Sequence, residues 1–206
     1  MKTLHTAVVA ALAALTIGQT AQATVIQSAT STLAGPAITF EGYAEGTIIT
    51  NQYAGVTFSQ VDGGTPQIDN SPFLFGYDAA SGTGVLTGTT NGGAQFPTVA
   101  GLVLTLVGPG SGIEFWLGDT APLGTYTIKA YDSSNTLIES FNVTPGGFVG
   151  FTGLTDLKWV SVNSSVENDA FAIDDVKVEA VPEPLSLGLV GLGLAALGMS
   201  RRKRAA

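Results

Sequence analysis

The 206-residue chain has no cysteine and a single histidine, His5. Its only arginines are Arg201, Arg202 and Arg204. Between residues 24 and 181 there is therefore no histidine, cysteine or arginine. That excludes Ser-His-Asp and Cys-His nucleophile activation, zinc sites built from His and Cys, and arginine clamps on phosphate. Any chemistry there rests on carboxylates, hydroxyls, amides, aromatics or a hard metal ion. Without cysteine the fold is held by packing, or by packing and a bound ion, even in an oxidising compartment.

Positive charge is equally scarce in this stretch. Only Lys129, Lys158 and Lys177 remain, against fifteen of the chain's sixteen acidic residues. Nucleic acid is excluded as a partner, because phosphate binding needs a basic footprint. Divalent cations and neutral polymers suit such a surface better.

Both ends read as processing segments. Lys2, the apolar stretch from Ala7 to Ile17 and the small-x-small pattern Ala21-Gln22-Ala23 describe a signal peptide over 1–23, cut by signal peptidase after Ala23. The apolar run is too short for a membrane span of about 20 residues. At the other end Pro182-Glu183-Pro184 precedes an uncharged stretch, 185–199, and the basic cluster Arg201-Arg202-Lys203-Arg204. As a helix, that stretch would extend about 22 Å, short of the roughly 30 Å hydrocarbon core. It can span by thinning the bilayer, with the basic cluster left cytoplasmic as a stop. Two prolines ahead of it make an extended stretch suited to a protease, although a permanent anchor satisfies the same pattern.

The segment 24–181 is rich in Thr, Val, Ile and Phe and is cut every 8 to 12 residues by Gly, Pro, Asn or Asp. Strands are predicted at 37–40, 56–60, 102–107, 113–117, 125–131, 137–143, 148–152, 157–162 and 170–178. Leu102 to Val107 is apolar almost throughout, which predicts a central strand covered on both sides. Tyr126, Ile128 and Ala130 share one phase, as do Leu137, Phe141 and Val143, and Asp132-Ser133-Ser134-Asn135 supplies a hairpin turn between them. Residues 61–99 read as long loops with short strands. The whole predicts an all-β fold, an antiparallel two-sheet β-sandwich of jelly-roll type, flanked by the N-terminal signal helix and the C-terminal transmembrane helix.

Within the last strand Phe171 and Ile173 share one face, whereas Val176 and Val178 share the other, which predicts a bulge at Asp174-Asp175. Those carboxylates, with Glu41 if the first and last strands pair, are candidate calcium ligands, since calcium takes six to eight oxygens. The competing arrangement points Asp174 to solvent and pairs Asp175 with Lys177. No other cofactor is indicated. Tyr53, Phe75 and Tyr77, near loops, are candidate glycan contacts. Trp116 and Trp159 lie among apolar neighbours and are expected in the core. Glu114 and Glu139 would serve a carboxylate-based polysaccharide hydrolase, but alternation places both as outward strand residues. A purely structural spacer fits the same residues.

Val181-Pro182-Glu183-Pro184, the Leu/Gly/Ala helix and the terminal Arg-Arg-Lys-Arg resemble the PEP-CTERM sorting signal of Gram-negative bacteria, over residues 181–204. The resemblance implies recognition of Pro182, Glu183 and Pro184 by an exosortase. It also implies a precursor held transiently in the inner membrane and a product associated with extracellular polysaccharide and biofilm at the cell surface. Phe40-Glu41-Gly42, the stretch from Gly46 to Phe58 and Ala172-Ile173-Asp174-Asp175-Val176 are similar to the galactose-binding-like, jelly-roll bodies of such exported substrates. That similarity implies the sandwich fold rather than a ligand; the non-enzymatic reading comes from the residues themselves.

Overall fold

A computed structural model describes residues 23–61, 63–71, 78–88, 101–119, 124–166 and 171–180. The signal segment up to residue 22 and the sorting tail from residue 181 lie outside the described residues, as do Phe75 and Tyr77. No helix is present among those described. Ten strands run in chain order: β1 (Thr24–Ser28), β2 (Val56–Gln60), β3 (Gln67–Asp69), β4 (Val85–Thr87), β5 (Leu102–Gly118), β6 (Tyr126–Asp132), β7 (Leu137–Val143), β8 (Gly147–Thr152), β9 (Leu157–Ser164) and β10 (Ala172–Ala180).

β5 organises the rest. Its first half pairs with β2 on one side and β9 on the other, and β6 and β7 continue from β9. Its second half pairs with β8 and β10, which β1, β4 and β3 extend. All these pairings are antiparallel. Partners change around Val107-Gly108-Pro109-Gly110, where the β9 register slips between Thr105 and Gly110. Proline has no amide hydrogen for the ladder and glycine tolerates a sharp bend, so the strand turns there. A Cβ on Gly110 would lie 2.2 Å from Leu106 Cδ2, which shows how closely the bend closes. The two halves fold over one core, as in a β-sandwich. Leu102, Leu104, Ile128 and Val160 from the first half share it with Phe115, Phe151, Ile173 and Val176 from the second. Edge-to-face contacts of Phe141 with Phe151 and Tyr126 with Phe171 join them.

Several sequence expectations hold. The β6–β7 hairpin forms with Asn135 at φ 63°, and Asp132 Oδ1 accepts the amides of Ser134 and Thr136. The β10 bulge appears as a register slip between Asp174 and Lys177, with Asp175 at φ 47°.

Others are corrected. The strands expected at 102–107 and 113–117 are one bent strand. The first is central but not covered on both sides: Leu102, Leu104 and Leu106 are buried while Val107 is 66% exposed. The strand expected at 37–40 is a single bridge, Ile38 to Val176. Leu137, expected on the buried face with Phe141 and Val143, is half exposed, because a register slip between Ala130 and Tyr131 skips Ile138 and sets Leu137 opposite Tyr131 on the outer face. β1, β3 and β4 are too short to show a pattern of their own.

Candidate functional site

Three features carry polar chemistry on this scaffold. The first is built on the segment 78–84, which runs into β4. Glu41, leaving the core through Phe40 at φ 56°, accepts the amides of Thr83 and Gly84 on Oε1, at 2.9 and 2.7 Å. Asp174, on the β10 bulge and fully buried, accepts the amides of Ala80 and Ser81 on Oδ2, both at 3.0 Å, and that of Asp175 on Oδ1. Ser81 Oγ donates to Asp175 Oδ1 at 2.7 Å. Gly82 sits at φ 52°, where an added Cβ would be 2.2 Å from Glu41 Oε1.

The sequence-derived trio Glu41, Asp174 and Asp175 is thus gathered onto one loop, and the first and last core segments do meet there through Ile38 and Val176. Asp174 does not point to solvent, nor does Asp175 pair with Lys177, whose ammonium binds Ser31 and Leu33. Burial pushes the Asp174 carboxyl up to about 7; the three amide bonds oppose that and neighbouring Asp175 reinforces it. Oxygens of all three carboxylates accept loop donors, and among the described residues no group of three or more acidic or imidazole ligands is placed to hold a metal ion.

Tyr53, a candidate glycan contact, belongs to this same corner. It packs edge-on against Phe40, Tyr43 and Phe58. Burial, followed by its hydrogen-bonded neighbour Tyr43 and the charges of Asp174 and Glu41, pushes its hydroxyl well above the usual phenol range. It is part of the wall of the core rather than a free platform.

The second feature is Glu114, which alternation placed outward. It is fully buried, because the chain after β1 crosses over it. Its carboxylate accepts Ser31 Oγ on one oxygen, and Thr32 N at 2.7 Å, Thr32 Oγ1 at 2.6 Å and Leu33 N at 3.2 Å on the other. Lys177 Nζ completes the knot by donating to Ser31 Oγ and Leu33 O, at 2.6 and 3.0 Å. Burial works against the Glu114 charge, but the bonds from Ser31, Thr32 and Leu33 win and hold its carboxyl below the usual range. Glu139 is half-buried on β7, and β9 and β6 lie between β5 and β7 in sheet order. The two glutamates of the hydrolase alternative are not brought together.

The third feature lies on the outer face of the β2–β5–β9–β6–β7 half. Trp159, expected in the core, stands half-exposed there. A register slip at Lys158, between the β6 pairs Tyr131–Trp159 and Asp132–Leu157, lets Leu157 and Val160 both face inward and turns Trp159 out. Tyr131 stacks on one face of the indole, with centroids 3.7 Å apart and planes 9° from parallel. Trp159 Nε1 donates to Asn135 Oδ1 at 2.9 Å. A shallow groove of about 500 Å³ runs alongside, lined by Val61, Val103, Thr105, Ser133, Asn135, Lys158 and Trp159. Lys158 Nζ reaches back to Leu106 O at 2.7 Å. Trp116, also expected in the core, is likewise only partly buried and meets Phe148 edge-on.

A family model described as the PEP-CTERM protein-sorting motif matches residues 180–204. No curated protein matches the chain. Among solved structures, the K2 cleaved adhesin domain of Lys-gingipain is 16% identical over 70% of this chain and 97% of its own, with a TM-score of 0.46. The xylan-binding domain from CBM 22 is 18% identical over 67% and 96%, with a TM-score of 0.39. The enzymatically active domain of bacteriophage CBA120 tailspike protein 4 is 17% identical over 62% and 19%, with a TM-score of 0.35. At these scores the likenesses say nothing of ligand or activity.

Proposed function

We propose that this is an exported, exosortase-sorted surface protein whose β-sandwich has no catalytic role and holds glycan in the extracellular matrix. The sorting motif at 180–204 carries the reading, because it implies export, a membrane-held precursor and processing by an exosortase. Within it, Pro182, Glu183 and Pro184 form the recognition motif, and Arg201, Arg202, Lys203 and Arg204 hold the tail on the cytoplasmic side. Signal peptidase cuts after Ala23, next to the first residue of β1.

Two observations support a non-enzymatic body. Residues 24–181 contain no histidine, cysteine or arginine. Glu114 is enclosed and hydrogen-bonded on both oxygens, so it has no access to a glycosidic bond. An acidic body also favours neutral polymers over anionic ones.

Replacing Glu183 by Ala in the expressing bacterium tests the sorting reading. The precursor should then accumulate in the inner membrane, with an intact mass that retains the tail. Release of a tail-less product at the normal rate would remove the basis of the proposal.

A further inference from the structure

We propose that the groove beside Trp159 is a binding subsite for a pyranose ring of a neutral polysaccharide. The inference rests on the glycan-holding function proposed above and gives it a place. An indole has two faces, and Tyr131 covers one at 3.7 Å. Thr105 on β5 is the cross-strand partner of Trp159 on the side opposite Tyr131, and Thr105 and Trp159 both line the groove, so the groove lies on the side of the indole that Tyr131 leaves uncovered. The ring is held from two directions, by the stack and by the bond from its N–H to Asn135, so no side-chain freedom remains to be lost on binding. A rigid flat apolar wall over a small-residue floor, here Val103 and Thr105, matches the C–H face of a sugar ring.

The polar rim fits the edge of such a ring. With its Oδ1 accepting the Trp159 N–H, the Asn135 side chain presents its NH₂ group as a donor. Lys158 spends one N–H on Leu106 O and keeps two, and the Thr105 hydroxyl can donate or accept. Hydroxyl groups spaced around a ring edge suit that set. The neighbouring carboxylates are engaged: Asp156 Oδ2 accepts Ser133 Oγ at 2.6 Å, and Asp132 Oδ1 accepts two turn amides. The fifteen acidic residues against three lysines in residues 24–181 repel a polyanion. The groove volume, about 500 Å³, lies within the usual range for small-ligand sites.

The test is retardation of the processed, exported protein in native gels containing the host's exopolysaccharide, xylan, a soluble β-glucan or dextran. At least one neutral polymer should retard the wild type. Trp159→Ala should weaken that binding by about tenfold or more, and Trp159→Phe by less. Thr105→Tyr fills the groove from the side of the indole opposite Tyr131, and should abolish binding with an unchanged unfolding midpoint. Because the chain has two tryptophans, Trp116→Phe leaves Trp159 as the sole indole, and its emission, excited at wavelengths tyrosine does not absorb, should shift when polymer is added. A wild type retarded equally with Trp159→Ala and Thr105→Tyr would overturn this subsite while leaving glycan binding intact. Absence of retardation in every polymer would overturn both. A concentration-dependent dimer abolished by Thr105→Tyr would overturn the sugar assignment in favour of a second copy of the chain.

Discussion

Replacing Glu114 by Ala removes the acceptor for four hydrogen bonds at once and strands the donors of Ser31, Thr32 and Leu33 beside the Lys177 ammonium. Hydrogen bonds to a charged group contribute about 1.5–3 kcal/mol each, but four on one carboxylate do not add. Breaking a buried charge network from one side costs about 3–5 kcal/mol, a large part of the roughly 5–15 kcal/mol that holds a domain together. With a urea m-value of about 2 kcal/mol/M, the unfolding midpoint should fall by about 2 M. Glu114→Gln keeps the shape and one acceptor oxygen but turns an amide NH₂ toward donors. Its loss should be about half as large. Equilibrium urea unfolding of both variants, with amide exchange at 31–33 as a local probe, measures this. A midpoint for Glu114→Ala within about 0.3 M of wild type would refute the idea that the 31–33 crossing is pinned by this carboxylate.

Asp174, with its folded value raised from 3.8 to about 7, binds its proton more tightly in the fold than in the unfolded chain. Its contribution is therefore complete below about pH 4, is lost as pH rises toward 7, and is constant above that, with a ceiling of about 4 kcal/mol. Urea midpoints between pH 5 and 8 should show that slope in the wild type and a flatter one in Asp174→Asn. Glu114 acts in the opposite sense, losing its contribution as pH falls through its lowered folded value below 4.5, which is why the comparison starts at pH 5. Gly82→Ala combines a left-handed backbone with a Cβ 2.2 Å from Glu41 Oε1 and should cost about 1–3 kcal/mol in the same assay; no loss would show that Glu41 does not latch the 78–84 loop.

Local patterns in the sequence were sufficient where the structure is local. The Asp132–Asn135 turn and the phase change at Asp174-Asp175 could be read because side-chain hydrogen bonding and strand parity leave their mark within a few residues. Glu41, Asp174 and Asp175 meet on one loop, where the first and last core segments come together. Their role was not legible, since the amides that occupy them come from residues 80–84, in a stretch without periodicity. Glu114 was misread because alternation reports only which face of a strand a residue takes, and what covers that face is a segment some 80 residues away. Trp159 was misread for the opposite reason. Its apolar neighbours suggested the core, but Leu157 and Val160 are both buried at an odd spacing, and that parity break was the available signal of the bulge that turns the indole out.

The last strand ends at Ala180, and the matched sorting motif begins at the same residue. Ala180 is still in register with Gly110, and Ser111 Oγ donates to its carbonyl at 3.0 Å. Two residues of extended chain reach at most about 7 Å, so Pro182 can stand no farther than that from the edge of the sandwich. A membrane enzyme that grips Pro182-Glu183-Pro184 must therefore work flush against a folded wall, or wait until the final residues of β10 peel away from β5. Under the proposed processing, the hydrogen bonds that end β10 also govern access to the motif.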